Sequence, residues 1–324
     1  ILGVVLLVPL ISFMVSPQAK LRFNEVNIFT DIGVIDRTNQ EIKNDNNSIF
    51  SKVLHNRRFA YGVEYIHHYL DNLAPQFLFI KGDGNPKFSL QDVGQLYIWE
   101  IPFFVGGIIL LFRKREKHWW LVPLWLLIGI VPAGFARETP HALRIESALP
   151  TFQIFTAIGL YYFTKYLIKL KNKRMGIGSL YVLGLIILFG FVYFVQNYFF
   201  HYSHEFSGEW QYGYKESIAY VSSVQNKYKD VYITESLGRP YVYYLFYQKY
   251  DPVTFRQEAD IYREVFGFVH VKSYSNLHFT DQIGKINKTN ALYLSTPGEK
   301  PENANTIKEF KLLNGHTALV AYTL

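Results

Sequence analysis

Apolar residues come in long blocks along this chain, not in the dispersed pattern of a soluble core. Five blocks, residues 1–15, 97–112, 119–136, 148–168 and 176–200, predict five membrane-spanning helices, since a helix needs roughly 20 residues to cross about 30 Å of hydrocarbon. Trp99 and the Trp119–Trp120 pair stand where aromatic rings favour the headgroup level. The first block opens on Ile1 with no Met and no basic leader. At 1.5 Å per residue it would reach only about 22 Å, so the expectation is a helix that starts upstream, in a longer protein.

Between the blocks the pattern changes. "DRTNQEIKNDNNSIF" (36–50) predicts a loop. "FAYGVEYIHHYLDNLAPQFLF" puts Val63, Ile66, Tyr69, Leu70 and Leu73 at helical spacing up to Pro75, which predicts an amphipathic helix lying along the membrane interface. "IKGDGNPKFS" (80–89) is turn chemistry. From His201 the composition becomes that of a small α/β unit: "GYKESIAYVSSVQNKY" and "RPYVYYLFYQKY" read as helices, "DVYIT", "FGFVHVKSY", "ALYLST" and "TALVAYTL" as strands. The expected organisation is a membrane domain, 1–200, with about five transmembrane helices and an outer loop 16–96, followed by an extracytoplasmic α/β domain, 201–324.

The formal net charge of +7 is concentrated in "RKREKH" (113–118) and "KLKNKR" (169–174). The positive-inside rule places both in the cytoplasm, and places the 16–96 loop, the 137–147 connection and the tail on the other face. The charge therefore reads as topology, and no nucleic-acid partner is expected. The absence of Cys excludes disulfides and thiolate metal sites.

No nucleophile elbow, phosphate loop, dinucleotide fingerprint or zincin helix occurs. The best site candidate is "FARETPHALRIESALPTF" (135–152), where Arg137, His141 and Arg144 put two guanidinium groups and an imidazole at the outer mouth of two helices. A guanidinium fork suits phosphate oxygens, and Pro140 and Pro150 stiffen the segment. The plainer alternative is that Arg137 and Arg144 snorkel or pair with Glu138 and Glu146. In the "GDGN" turn, Asp83, Asn85 and Lys87 are further site candidates; Asp83 and Asn85 as calcium ligands compete with a simple turn. The pair His67–His68 with Asp71 could offer metal ligands on one helical face, but without a further well-spaced ligand a plain interfacial histidine pair is the better reading. No cofactor is assigned, and a divalent metal is left open.

"QFLFIKGDGNPKFSLQDVGQLYIWEIPFFVGGIILL", "TPHALRIESALPTFQIFTAIGL" and "GEWQYGYKESIAYV" with "LGRPYVYYLFYQKYDP" together resemble the C-terminal half of bacterial and archaeal members of the dolichyl-phosphate-mannose protein mannosyltransferase-like family. These are membrane glycosyltransferases of the GT-C class, related to the aminoarabinose lipid A transferases. The resemblance implies an α-helical polytopic membrane protein, GT-C-like and N-terminally truncated, with a C-terminal extracytoplasmic α/β domain. It also implies transfer of a sugar from a polyprenyl-phosphate carrier to a protein or glycan acceptor at the outer face of the cell membrane. The family carries its acidic catalytic residue in the first outer loop, which would fall upstream of Ile1; the catalytic position is then unassigned, and this chain alone is expected to be inactive. Arg144, helped by His141 or Arg137, would steady the departing phosphate. A lipid or polysaccharide transporter or flippase component is the non-enzymatic alternative, though the apolar blocks carry almost no mid-bilayer charge.

Overall fold

Short polar side chains that disfavour helix interiors are used in this protein as helix caps. The computed structural model describes residues 16–264 and 268–324 together with 7, 10, 11, 13 and 14. After helix α1 (Pro17–Val26), the Asp31 carboxylate accepts from Gly33 N at 2.9 Å and starts α2 (Ile32–Asn44). Ser48 accepts from Ser51 N at 3.1 Å and starts α3 (Ile49–Leu54), and Asn56 accepts from Arg58 N at 2.8 Å and starts α4 (Arg57–Asp71). The predicted loop at 36–50 is thus mostly helical. Each cap satisfies an orphan N–H, and the turn shrinks to Asn46 and Asn47, both at positive φ.

The chain divides into two compact units, Ile1–Tyr198 and Phe199–Leu324. In the first, α5 (Ile101–Lys114), α6 (Leu121–Gly134), α7 (Thr151–Ile168) and α8 (Lys173–Gln196) follow the π turn Gln76–Ile80. Glycine sets the packing of α5 on α7. A Cβ on Gly107 would lie 1.9 Å from Phe155 O, and one on Gly159 would lie 1.9 Å from Phe103 O. The backbones touch there. α6 approaches the 3-10 turn Ala142–Ala148 just as closely, since a Cβ on Gly129 would meet Ala148 Cα at 2.6 Å. The core gathers Phe77, Leu78, Ile130, Ile145, Ala148 and Phe155, so residues of the connections are buried among those of the helices. Lys114 Nζ over the Tyr162 ring at 4.4 Å, with Tyr162 Oη donating to Glu116 at 3.3 Å, joins the basic ends of α5 and α7.

The expectation of an α-helical polytopic, GT-C-like membrane protein with about five spans is overturned. Among the described residues one helical run, Lys173–Glu205, is long and apolar enough to cross a membrane, and that is weak evidence by itself. α5 and α6 have 14 residues each, about 21 Å against a core of about 30 Å, and α6 contains Pro132. α7 reaches 18 residues, but its Thr, Gln, Tyr and Lys165 dilute it. The first expected span, 1–15, lies largely outside the described residues.

The second unit is built on a seven-stranded mixed sheet in the order β2-β3-β4-β1-β5-β7-β6. β1 (Asp230–Thr234) lies between β4 (Leu277–Thr280) and β5 (Ala291–Ser295) and is parallel to both. β2 (Asp260–Arg263), β3 (Val269–Tyr274), β6 (Asn305–Lys311) and β7 (Thr317–Thr323) pair antiparallel. Every residue of β5 is buried, as expected of a central strand covered on both faces. One face packs Val231, Ile233, Leu292 and Leu294 against Tyr214, Ile218 and Val221 of α9 (Tyr214–Val224) and Tyr244 of α10 (Pro240–Gln248). The other gathers Ile283, Tyr293 and Tyr322.

The glycine contact gives a paired test. Gly107→Ala should cost about 3 kcal/mol of stability because two backbones must separate, whereas Gly106→Ala, with nothing within 4 Å of the new Cβ, should be neutral or gain up to about 1 kcal/mol. Thermal unfolding of both purified variants checks this; equal effects would show that the close approach does not hold the pair.

Candidate functional site

The two loops singled out in the sequence meet around Asp83. Its side chain is 4% exposed. Gly82, at φ 77°, turns the chain so that Asp83 points inward. Oδ1 accepts from Asn85 N at 2.8 Å, and Oδ2 accepts from Ala142 N at 2.7 Å with His141 Nδ1 3.7 Å away. His141 is buried, packs its ring on Phe88 at 4.6 Å, and donates its backbone N–H to Asn72 Oδ1 at 3.0 Å. Asn72 in turn donates to His68 O at 2.7 Å, and His68 Nδ1 contacts Ala136 O at 2.7 Å. A carbonyl only accepts, so Nδ1 of His68 carries the proton.

On the other side of His141, Nε2 faces Glu138 Oε2 at 3.9 Å, and Glu138 Oε2 lies 3.8 Å from Arg144 Nη2. Arg144 Nη1 donates to Glu138 O at 2.5 Å. Arg137 is fixed differently: its N–H donates to Val26 O at 2.8 Å, Nε to Asn27 O at 3.1 Å and Nη2 to Thr30 Oγ1 at 2.7 Å. Arg137 and Arg144, with Glu25, Val26 and Glu138, line a cavity of about 250 Å³.

Five of the six residues expected from the sequence are therefore neighbours in the fold: Asp83, Asn85, His141, Arg144 and Arg137. Lys87 stands exposed on the same turn, its backbone N–H donating to Asn85 Oδ1 at 3.0 Å. Both Asp83 oxygens are engaged by backbone N–H groups, which makes the turn reading of "GDGN" the better one. Glu146 is exposed, and the acid beside Arg144 is Glu138. Among the described residues no group of three or more His, Cys, Asp or Glu side chains is arranged to hold a metal ion.

The sequence reading missed a second polar cluster, at the carboxyl end of β1. Glu235 Oε1 and His270 Nδ1 are 3.7 Å apart, and neither atom makes a hydrogen bond among the described residues. His270 Nε2 meets Glu264 Oε2 at 3.2 Å, and Arg239 Nη2 lies 3.8 Å from Glu264 Oε1. Nearby, Glu299 accepts from Thr234 Oγ1 at 2.9 Å, Thr296 N at 3.0 Å and Thr296 Oγ1 at 2.7 Å, and from Ser236 Oγ. Burial pushes the Glu235 carboxyl up, with His270 pulling the other way. Burial also acts upward on Glu299, but the donors from Ser236, Thr296 and Thr234 outweigh it and hold this carboxyl low. Glu235 was within reach of sequence reasoning, since it directly follows a β-branched strand whose carboxyl end is the usual place for function in an open α/β sheet; nothing in the sequence brings His270 to it.

Comparison with known proteins adds no relative: no family model, no curated protein and no solved structure matches the chain.

Two tests follow from this geometry. Asp83→Ala should destabilise the protein by about 2–4 kcal/mol because two backbone donors lose their acceptor, with Asp83→Asn costing about half, since an amide oxygen still accepts. A loss below about 0.5 kcal/mol for Asp83→Ala in denaturant unfolding would show that the carboxylate does not join the loops. The carboxyls of the second unit should respond to pH with opposite signs. Glu235, raised on folding, contributes stability below the ordinary carboxylate range that is lost as pH rises through its folded value, so Glu235→Gln should gain on wild type between about pH 5 and 8. Glu299, lowered on folding, contributes above that range and loses it as pH falls, so Glu299→Gln should cost most near neutrality. Melting temperatures from about pH 3 to pH 8 check both signs.

Proposed function

We propose that the chain serves in a membrane glycosyltransferase that moves a sugar from a polyprenyl-phosphate carrier to a protein or glycan acceptor at the outer face of the cell membrane, and that the pocket of Arg137 and Arg144 receives the carrier phosphate. The observation that carries this reading is that two guanidinium groups from one short connection line a single cavity. In the transfer an acceptor atom bonds to the anomeric carbon as the bond from that carbon to a phosphate oxygen breaks; the electron pair leaves with the phosphate, and the acceptor's proton passes to a base. Cations already in place favour that developing charge more than the ground state. Glu25 and Glu138 line the same cavity, so an arriving phosphate must displace an acid. Glu138 suits that exchange. Its side chain is 63% exposed and 3.8 Å from the Arg144 guanidinium, so it can turn into water while Arg137 stays tied to Asn27 and Thr30. The resemblance to the mannosyltransferase-like family and a helical run of membrane-crossing length among the described residues, Lys173–Glu205, support the same reading. No carboxylate of this chain is assigned as the base.

Binding of geranyl phosphate to the purified chain, followed by ³¹P NMR, tests the pocket without requiring turnover. Arg144→Ala should weaken binding about tenfold or more, the equivalent of losing one charge-assisted hydrogen bond. Arg144→Lys should recover part of it, because an ammonium keeps the charge but not the fork. Glu138→Gln should tighten binding by removing the competitor. Unchanged affinity in Arg144→Ala, or geraniol binding as well as its phosphate, would remove this pocket from the carrier site.

A further inference from the structure

Helices α3 and α4 are packed on one side only. The inner side of α4 is settled: Tyr61 is buried and donates to Asp31 O at 3.3 Å, Tyr65 packs on Phe135 at 4.6 Å, and Asn72 closes the end fully buried. Its outer side carries Phe59, Val63, Ile66 and Leu70, at i, i+4, i+7 and i+11, exposed by 62%, 50%, 57% and 54%. On α3, Ile49, Phe50 and Val53 are more exposed still, at 83%, 74% and 67%. Seven large apolar side chains on two consecutive helices form a surface of the kind that marks a membrane or partner contact.

The charges around this surface select the partner. Between Ile49 and Val63 there is no acidic residue, and Lys52, Arg57 and Arg58 are all exposed. Of the acids nearby, Glu41 and Asp45 meet His55 at 2.8 Å and 3.2 Å and Glu64 meets Arg37 at 3.0 Å, while Asp71 lies at the far end of α4, past Leu70. Arg57 and Arg58 also occupy the first turn of α4, which has no acid. This is the positive end of the helix dipole, where a cation is unfavourable and an external anion relieves the repulsion.

We propose that α3 and α4 lie in the headgroup layer of a bilayer containing anionic lipid, with the Phe59–Val63–Ile66–Leu70 stripe at the acyl boundary and Lys52, Arg57 and Arg58 against lipid phosphates. A helix in that position buries its apolar face about 5–10 Å into the interface, and each basic residue near an anionic surface adds to the attraction. The inference needs a membrane surface but not sugar transfer, so it stands or falls separately from the Arg137 and Arg144 pocket.

The chain contains no Cys, which makes single-site spin labelling direct. Nitroxides at Val63→Cys, Ile66→Cys and Leu70→Cys, with Lys43→Cys on α2 as the aqueous reference, are compared by power saturation with oxygen and with a water-soluble nickel chelate. The whole chain is reconstituted in phosphatidylcholine vesicles with and without phosphatidylglycerol. With phosphatidylglycerol, the labels at 63, 66 and 70 should be oxygen-accessible and nickel-shielded while the label at 43 stays nickel-accessible. The double variant Arg57→Glu, Arg58→Glu should reduce the shielded fraction about tenfold or more. Labels at 63, 66 and 70 as nickel-accessible as the one at 43 would overturn the proposal. So would the same shielding without anionic lipid, or loss of access to both reagents with spin–spin broadening, which would assign the stripe to a second copy of the chain.

Discussion

Asp83 holds the candidate site together because it is a charge that has been taken out of water and given two backbone donors. Oδ1 fixes its own turn through Asn85 N at 2.8 Å, and Oδ2 reaches across to Ala142 N at 2.7 Å. A buried carboxylate without such donors would cost several kcal/mol, so the 80–89 turn and the 137–149 connection are obliged to meet. The meeting places His141 between Asp83 and Glu138, and Glu138 next to Arg144. Asn72 repeats the device from α4, accepting from His141 N and donating to His68 O. Arg144 is placed through this framework, whereas Arg137 is held by Val26, Asn27 and Thr30.

What the sequence made legible was local. Helical spacing located α9 and α10, and β-branched runs located β1, β5 and β7, because those patterns report which side of an element is buried. β4 has four residues and β6 is exposed at all but one position, so neither carries a pattern to find. The segment 36–50 has the composition of a loop because polar residues do not distinguish a helix cap from a coil; Ser48 within it is a cap, as are Asp31 and Asn56 on either side. Both site loops were recognisable by their turn chemistry and charge, but their contact joins positions 59 residues apart, and no spacing rule reaches that far.

The apolar blocks misled for a related reason. Hydropathy counts residues without asking what they pack on. In α6, Gly129, Ile130, Ala133 and Gly134 are buried against the Ala142–Ala148 turn and α4, and Trp125 Nε1 donates to Ser147 O at 2.8 Å. Five of the 14 residues of this helix, Leu126, Gly129, Ile130, Ala133 and Gly134, are buried inside the protein. In α5 and α7, Gly107 and Gly159 let two backbones touch, and such a contact contributes apolar sequence without adding length.

Arg137 and Arg144 come from one connection but are physically different groups. Arg137 spends its backbone N–H, Nε and Nη2 on Val26, Asn27 and Thr30; removing it would free the stretch that bridges Asn27 to Ala136, so loss of function there would not separate binding from folding. Arg144 holds the carbonyl of Glu138 by one nitrogen and faces the Glu138 carboxylate at 3.8 Å by the other, a separation too long for a hydrogen bond and weak in water. Exchange of that carboxylate for a phosphate leaves the backbone anchor intact and improves the geometry of the second contact. The discriminating property of the pocket is therefore the exchangeable partner of Arg144, with Arg137 as the fixed charge against which the exchange takes place.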